Sequence, residues 1–301
     1  MSLRVLSAGT HSLIVDAGRP RTRGLGVPVG GPADRAAWAL GNALVGNPPY
    51  TSALEVTLSG PTLVADADTG MCVFGCPFRL DRGGEPLTAG HSFTLEAGQT
   101  LRIGGASNGC RAYLCVPGGF RAQRVLDSTT AFEPVRPGDV LNCDVSRLAG
   151  RDLGHAFVPV RQVSQAGELW LRVLPGPQRD WFDDIFFVQT YQVTPASNRM
   201  GVRLDGEPLA LPIRELISEP VAPGAVQIAN DGKPIILGVD GQTTGGYPKI
   251  AHVIAADLDA VGQLRPGDTV HFQLVTESLA EDAAARQREE LRRWLRRLSL
   301  A

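Results

Sequence analysis

ALEVTLSGPTLVADADTGMCVFG, Ala53 to Gly75, decides the fold. Within it LEVTL, TLVAD and MCVFG are short runs rich in apolar and β-branched residues, parted by Gly, Pro and Asp. That combination reads as strands separated by tight turns. SFTLE, QTLRIG and RAYLCV continue the pattern, so Ala53 to Val140 has the strand spacing of a barrel or a sandwich. Upstream, Leu3–Leu6 and Leu13–Val15 add two short strands. RPRTRGLGVPVGG, from Arg19 to Gly31, holds too much Gly and Pro for a regular element and is a loop carrying Arg19, Arg21 and Arg23. Pro32 suits the first position of a helix and Asp34 its first turn. Ala36, Ala37, Leu40, Ala43 and Leu44 then recur at helical spacing until Gly46-Asn47-Pro48, which places a helix near residues 33–45.

Two echoes divide the chain. LRVL occurs at Leu3–Leu6 and at Leu171–Leu174; RPGD occurs at Arg136–Asp139 and Arg265–Asp268, each before an apolar strand. They imply two related β halves, 1–150 and 168–301, joined by a polar linker from Val145 to Gly167. The second half opens with LPGPQRDWF, where Trp181 and Phe182 are candidate core anchors, and FFVQTYQV reads as a strand. From Leu279 to Leu300 the pattern turns helical, with Leu291, Trp294, Leu295 and Leu298 on one face and arginines on the other.

The totals narrow the function classes. A formal net charge of −2 over 301 residues offers no electrostatic footprint for nucleic acid or an anionic membrane. No apolar run approaches the ~18 residues of a membrane span, and the N-terminus lacks the apolar core of a signal peptide, so a cytoplasmic location is expected. Five cysteines without CxxC spacing read as reduced, structural thiols. GxSxG, P-loop and HExxH motifs are absent, the five histidines have no ligand spacing, and no metal site is expected.

The chemistry concentrates in GVDGQTTGGYPKIAHVIAADL, Gly238 to Leu258. Gly241, Gly245 and Gly246 let the backbone take positive φ and approach a ligand closely. Gln242, Thr243 and Thr244 bring an amide and two hydroxyls to the same turn, followed by Tyr247, Pro248 and Lys249. The 29 Lys plus Arg include only two lysines, Lys233 and Lys249, so a lysine at this turn reads either as a site that needs a compact ammonium or as a β-turn with a solvated lysine. An apolar run from Ile250 to Ala256 anchors the turn. Elsewhere, Asn198 in SNRMG suits a left-handed turn, with Arg199 beside it as a second candidate for the ligand cleft. Ser218 and Glu219 in ISEP either cap a turn or hold a carbonyl and an amide.

GQTTGGYPKIAHVIAADL resembles the signature of the biotin-dependent carboxyltransferase-like family, also called the allophanate hydrolase subunit 2 or KipA family. Similar blocks run the length of the chain in the family's order: VDAGRPRTRGLGVPVGGPADRAAWALGNALVGNPPYTSALEVTLSGP, YLCVPGGF, SNRMGVRLDGEPL and ISEPVAPGAVQI. The resemblance implies a mainly β fold of two cyclophilin-like barrel halves with the helix near 33–45 and a C-terminal helix. It implies the C-type subunit of an ATP-dependent 5-oxoprolinase, working with a KipI-like B-type subunit and a 5-oxoprolinase A-type subunit and inactive alone. ATP would be used on a partner subunit, and the substrate would be a lactam or other small amide.

Lys249, Gln242, Thr243 and Thr244 are then the catalytic candidates. Gly245, Gly246, Tyr247, Asn198, Arg199, Ser218, Glu219, Gly30 and Gly31 are the substrate-binding ones. Two alternatives accompany that reading. One is the carboxyltransferase component of a urea or amide carboxylase, taking biotin from a separate carrier. The other is a non-enzymatic regulator that binds a KipI-like kinase inhibitor. Three departures from the family pattern stand out: Val15 replaces the usual Gln before Asp-x-Gly-Arg, Gly31-Pro32-Ala33-Asp34 replaces Gly-Ala-Met-Asp, and LDSTTAF lacks a customary arginine.

Overall fold

The computed structural model describes residues 2–153 and 168–299, so the greater part of the expected linker, residues 154–167, lies outside the described residues. The chain separates into two compact units. The first takes in Met1–Pro20, Gly30–Pro159 and Leu291–Ala301; the second takes in Arg21–Val29 and Val160–Glu290.

The first unit is built from Ser2–Ser7 (β1), His11–Val15 (β2), Ala53–Thr57 (β3), Thr62–Ala65 (β4), Thr69–Gly75 (β5), Phe78–Arg82 (β6), Glu85–Leu87 (β7), Ser92–Leu95 (β8), Thr100–Ala106 (β9), Arg111–Cys115 (β10) and Val140–Asn142 (β11). Every strand expected between Ala53 and Val116 is present. Its strands form a six-stranded sheet, β11-β1-β4-β9-β6-β7, and a five-stranded sheet, β2-β3-β10-β5-β8, rather than one closed circuit. Leu3, Val5, Leu63, Leu101 and Ile103 from one sheet meet Leu54, Val56, Met71, Val73 and Leu114 from the other in a common core.

The five-stranded sheet is buried on both faces. Its outer face carries Ala53, Cys72, Phe74, Tyr113 and Cys115 and is covered by Trp38, Leu40 and Leu44 of a helix and by Trp294 and Leu298. Double coverage explains why MCVFG and RAYLCV read as continuous apolar runs instead of alternating ones. The covering helix, Arg35–Leu44 (α1), starts later than its sequence suggests. Asp34 is its N-cap and accepts from Ala37 N at 2.9 Å, so Pro32 lies before the helix and not at its first turn.

The second unit comprises Glu168–Pro175 (β12), Tyr191–Val193 (β13), Gly201–Asp205 (β14), Glu219–Pro220 (β15), Ala225–Ile228 (β16), Pro234–Leu237 (β17), Thr244–Gly245 (β18), Lys249–Val253 (β19) and Thr269–Leu274 (β20). Seven of these close a barrel in the order β12-β19-β16-β17-β14-β13-β20, while β15 and β18 pair separately. Leu171, Val173, Val226, Ile236, Ala251, Val270 and Phe272 fill the barrel core. Phe182 is buried there and Trp181 packs against it, as expected. FFVQTYQV is not one strand: Ile185–Val188 (α2) is helical and only Tyr191–Val193 pairs. Phe186 stacks on Phe272 and Phe187 meets Phe186 edge-on, a ring cluster that a helical turn can assemble and an extended chain cannot. Leu258–Val261 (α3) is a single turn, and Glu277–Ser299 (α4) is the long C-terminal helix, with Trp294 and Leu298 buried and Leu291 and Leu295 packed beside them.

The RPGD echo has a structural counterpart. In the first unit Asp139 accepts from Arg136 N at 2.7 Å, Gly138 N donates to Val5 O at 2.8 Å and Val5 N donates to Asp139 O at 2.9 Å. In the second, Asp268 accepts from Arg265 N, Gly267 N from the same turn donates to Val193 O, and Val193 N donates to Asp268 O, each at 2.9 Å. Both turn glycines sit at φ near +90°, where a side chain is strained. The LRVL echo does not correspond in the same way. β1 runs antiparallel to β11, whereas β12 runs parallel to β20; it is β13 that meets its RPGD turn as β1 does.

Candidate active site

Lys249 opens β19 and is 6 % exposed. The barrel ladder sets it opposite Gln227 of β16, at a point where the register shifts by a bulge. Its Nζ donates to Glu219 Oε1. Gln178, buried in the turn after β12, holds the pair from behind. Its Oε1 accepts from Lys249 N at 2.9 Å, its Nε2 donates to Glu219 Oε1 at 3.0 Å, and its own N donates to Lys249 O at 3.1 Å. Gly176 permits this approach, since a Cβ there would lie 2.2 Å from Lys249 O.

The Lys249 hydrogen bond is the main influence that keeps the Glu219 carboxyl below its ordinary range, with a smaller contribution from Gln178. The pair therefore presents an ammonium beside an ionised carboxylate. An ammonium carries three N–H donors, and Glu219 engages one of them.

β15 sets Glu219 opposite Gly245 of β18. The glycines of this turn serve close approach and not unusual dihedrals: Gly241, Gly245 and Gly246 are not among the positive-φ residues. A Cβ on Gly245 would fall 2.5 Å from Gln242 Nε2 and 2.9 Å from Gln227 Nε2. One on Gly241 would fall 2.9 Å from Gly238 O and Met200 O, and one on Gly246 would fall 3.3 Å from Ser218 Oγ. Two side-chain amides thus converge on the bare backbone of Gly245. Gln227 is 1 % exposed and its Nε2 has no hydrogen-bond partner among the described residues. Gln242 itself is exposed, and its backbone O lies 3.4 Å from Arg23 Nη2, which also donates to Val221 O. Arg23 Nη1 is buried there without a partner among the described residues.

The remaining candidates fall into place with different roles. Thr243 O accepts from Val221 N at 3.0 Å and Thr244 pairs with Pro220, so both build the β15–β18 ladder from their backbones. Tyr247 is half-buried. Arg199, 7 % exposed, forms a two-point ion pair with Asp240, Nε to Oδ2 at 2.6 Å and Nη2 to Oδ1 at 2.9 Å. This pair staples the SNRMG turn to the start of the Gly238 loop. Asn198 does not take the left-handed conformation; its side-chain carbonyl caps the turn by accepting from Met200 N at 2.8 Å.

Gly30 and Gly31 belong to the first unit, both at positive φ, and a Cβ on Gly31 would come 3.1 Å from Asp16 O. There LDSTTAF does the anchoring. Ser128 donates to Asp16 Oδ1 and Thr130 to the same oxygen at 2.8 Å, while Thr129 N donates to Oδ2 at 2.7 Å. Burial pushes the Asp16 carboxyl up, but these donors outweigh it and hold the group below its ordinary range. Arg19 donates to Val125 O at 3.0 Å and lies over the Phe132 ring. Gln178 and Gln227 are the site residues the sequence reading missed. A glutamine inside the apolar run Ala225–Ile228 was the available signal for Gln227, because a buried amide is expected to have partners.

The second unit is thus a seven-stranded barrel that carries a buried lysine paired with a carboxylate, with two side-chain amides close by. Residues 25–274 match the family model for the carboxyltransferase domain, subdomains A and B, and the chain belongs to that family. Among characterised relatives, the 5-oxoprolinase C subunit of Escherichia coli is 36% identical over 96% of this chain and 95% of its own length. That of Haemophilus influenzae is 34% identical over 95% of each. Urea amidolyase of Saccharomyces cerevisiae is 31% identical over 90% of this chain but only 16% of its own length. The solved K. lactis urea amidolyase superposes with a TM-score of 0.87 at 28% identity, covering 97% of this chain and 20% of that one.

Proposed function

We propose that this chain is the C-type subunit of an ATP-driven 5-oxoprolinase. The carrying observation is end-to-end likeness: the two 5-oxoprolinase subunits match over 95% of their own length, whereas the urea enzymes contain this domain as a small part of a longer chain. The site supports the reading. Opening 5-oxoproline adds water across the lactam C–N bond to give glutamate, and ATP hydrolysis to ADP and phosphate drives it. The carbonyl oxygen gains negative charge as the bond is attacked. Lys249 Nζ and the amide of Gln242 are donors placed to hold that charge, and Glu219 fixes the ammonium.

ATP would bind a partner subunit, and KipI-like B-type and 5-oxoprolinase A-type subunits would complete the enzyme. The urea-type carboxyltransferase remains the second reading, favoured by the 0.87 TM-score to the K. lactis enzyme, and it requires a separate biotin carrier. Co-expression with the B-type and A-type subunits, followed by ATP-dependent release of glutamate from 5-oxoproline, tests the first. Turnover by the wild-type complex that collapses in Lys249→Ala, with the complex still assembled, is the expected result. A stable complex that leaves 5-oxoproline untouched refutes it, and turnover by the single chain refutes the need for partners.

A further inference from the structure

Gln227 stands out among the buried polar groups of the second unit. It projects from the barrel strand β16, is 1 % exposed, and its Nε2 lies buried with no partner among the described residues. A buried donor left unmade is costly, and native proteins keep one where something outside the chain completes it. The surroundings say where that acceptor sits. Gln227 is opposite Lys249 in the ladder, and both its Nε2 and Gln242 Nε2 lie close to the place a Cβ on Gly245 would take. Gly245 in turn is paired with Glu219, the carboxylate that holds Lys249 Nζ. The missing Cβ at Gly245 is what lets both amides come this close, because one there would collide with them.

We infer that Gln227 is a substrate-binding residue whose side-chain NH2 donates to the carbonyl oxygen of a planar amide seated over Gly245. The inference rests on the amide-handling reading above and adds the group that selects for an amide carbonyl. A neutral NH2 suits that task. It aligns a carbonyl without the charge of an ammonium, and the same buried donor rejects analogues that lack an acceptor there, which would leave it unpaired.

The test compares wild type with Gln227→Met in the assembled complex, measuring equilibrium binding of 5-oxoproline, 2-pyrrolidinone and urea together with thermal unfolding. Methionine keeps the volume and removes the amide. Because Nε2 bonds nothing among the described residues, the variant is expected to unfold at the wild-type temperature or above. Affinity for whichever amide the wild type binds is expected to fall about tenfold, the worth of one well-made hydrogen bond. Gln227→Asn, one methylene shorter, serves as a second variant and is expected to lose affinity to a similar degree. Unchanged affinity in both variants overturns the assignment, as does a wild-type complex that binds none of the three. Loss of affinity that merely tracks a fall in unfolding temperature also overturns it, in favour of a packing role. The failure of the 5-oxoprolinase reading is separately visible: urea would then bind in a Gln227-dependent way and 5-oxoproline would not.

Discussion

Gly245→Ala is the sharpest perturbation of this site. The added methyl would lie 2.5 Å from Gln242 Nε2 and 2.9 Å from Gln227 Nε2, against ordinary contacts beginning at 3.4 Å. One amide must therefore give by about 0.9 Å and the other by about 0.5 Å. Gln242 is exposed and swings away at little cost, whereas Gln227 is enclosed in the barrel wall. Gly245 is not at positive φ, so alanine meets no dihedral penalty and gains about 0.4–1 kcal/mol from the stiffer unfolded chain. Overpacking costs about 1–3 kcal/mol, with the lower end expected when one neighbour is the free end of a side chain.

The net change in stability is then about 0–2 kcal/mol of destabilisation. Function should fall further, since both amides leave their places at once and a single lost oxyanion donor costs on the order of 100-fold in turnover. Thermal unfolding and ligand-binding or turnover measurements on the same preparations separate the two effects. The double variant Gly245→Ala/Gln242→Ala should recover part of the stability without recovering function. Wild-type affinity and turnover in Gly245→Ala would refute the placement of the ligand over Gly245.

Three further outcomes follow from the same geometry. Lys249→Met keeps the buried stem and removes the ammonium, so turnover should drop on the order of 100-fold while unfolding changes by no more than about 1 kcal/mol, as Glu219 is 37% exposed and readily hydrated; retained turnover within threefold would exclude Lys249 from the chemistry. Gly176→Ala places a methyl 2.2 Å from the Lys249 carbonyl, a backbone atom that cannot step aside, and should cost at least about 2 kcal/mol by unfolding while misplacing Lys249. Asp16, held below its usual value of 3.8, contributes stability that is complete above the unfolded-state value and is lost as pH falls through the lower folded one. Asp16→Asn should therefore cost about 2 kcal/mol at neutral pH, as charge-assisted hydrogen bonds are lost, and should flatten the first unit's acid unfolding profile below the usual carboxylate value of 3.8; an unaltered profile would show that the Ser128–Thr130 donors do not bind an ionised group.

Local chemistry made much of this protein legible in one dimension. Strands such as LEVTL and QTLRIG announce themselves because strand propensity and turn residues act over a few neighbouring positions, and the 3.6-residue period of Leu291, Trp294 and Leu298 does the same for the last helix. The Gly-rich turn and its lysine were recognisable for the same reason. Tertiary structure decided what those residues do. Whether a strand run closes on itself depends on pairings between distant segments, which is why one unit is a barrel and the other two sheets around a shared core. IFFV became a helix in a setting where Phe186 stacks on Phe272 from a strand far along the chain, a contact that local propensity cannot express. Gly245, which suggested an unusual dihedral, instead makes room for the amides of Gln227 and Gln242, and Gln178, Glu219, Gln227 and Lys249 are neighbours only because β15, β16, β19 and the turn after β12 come together. A site assembled from side chains on three separated strands and a turn has no spacing in the sequence, since its distances are set by tertiary pairing and not by the chain.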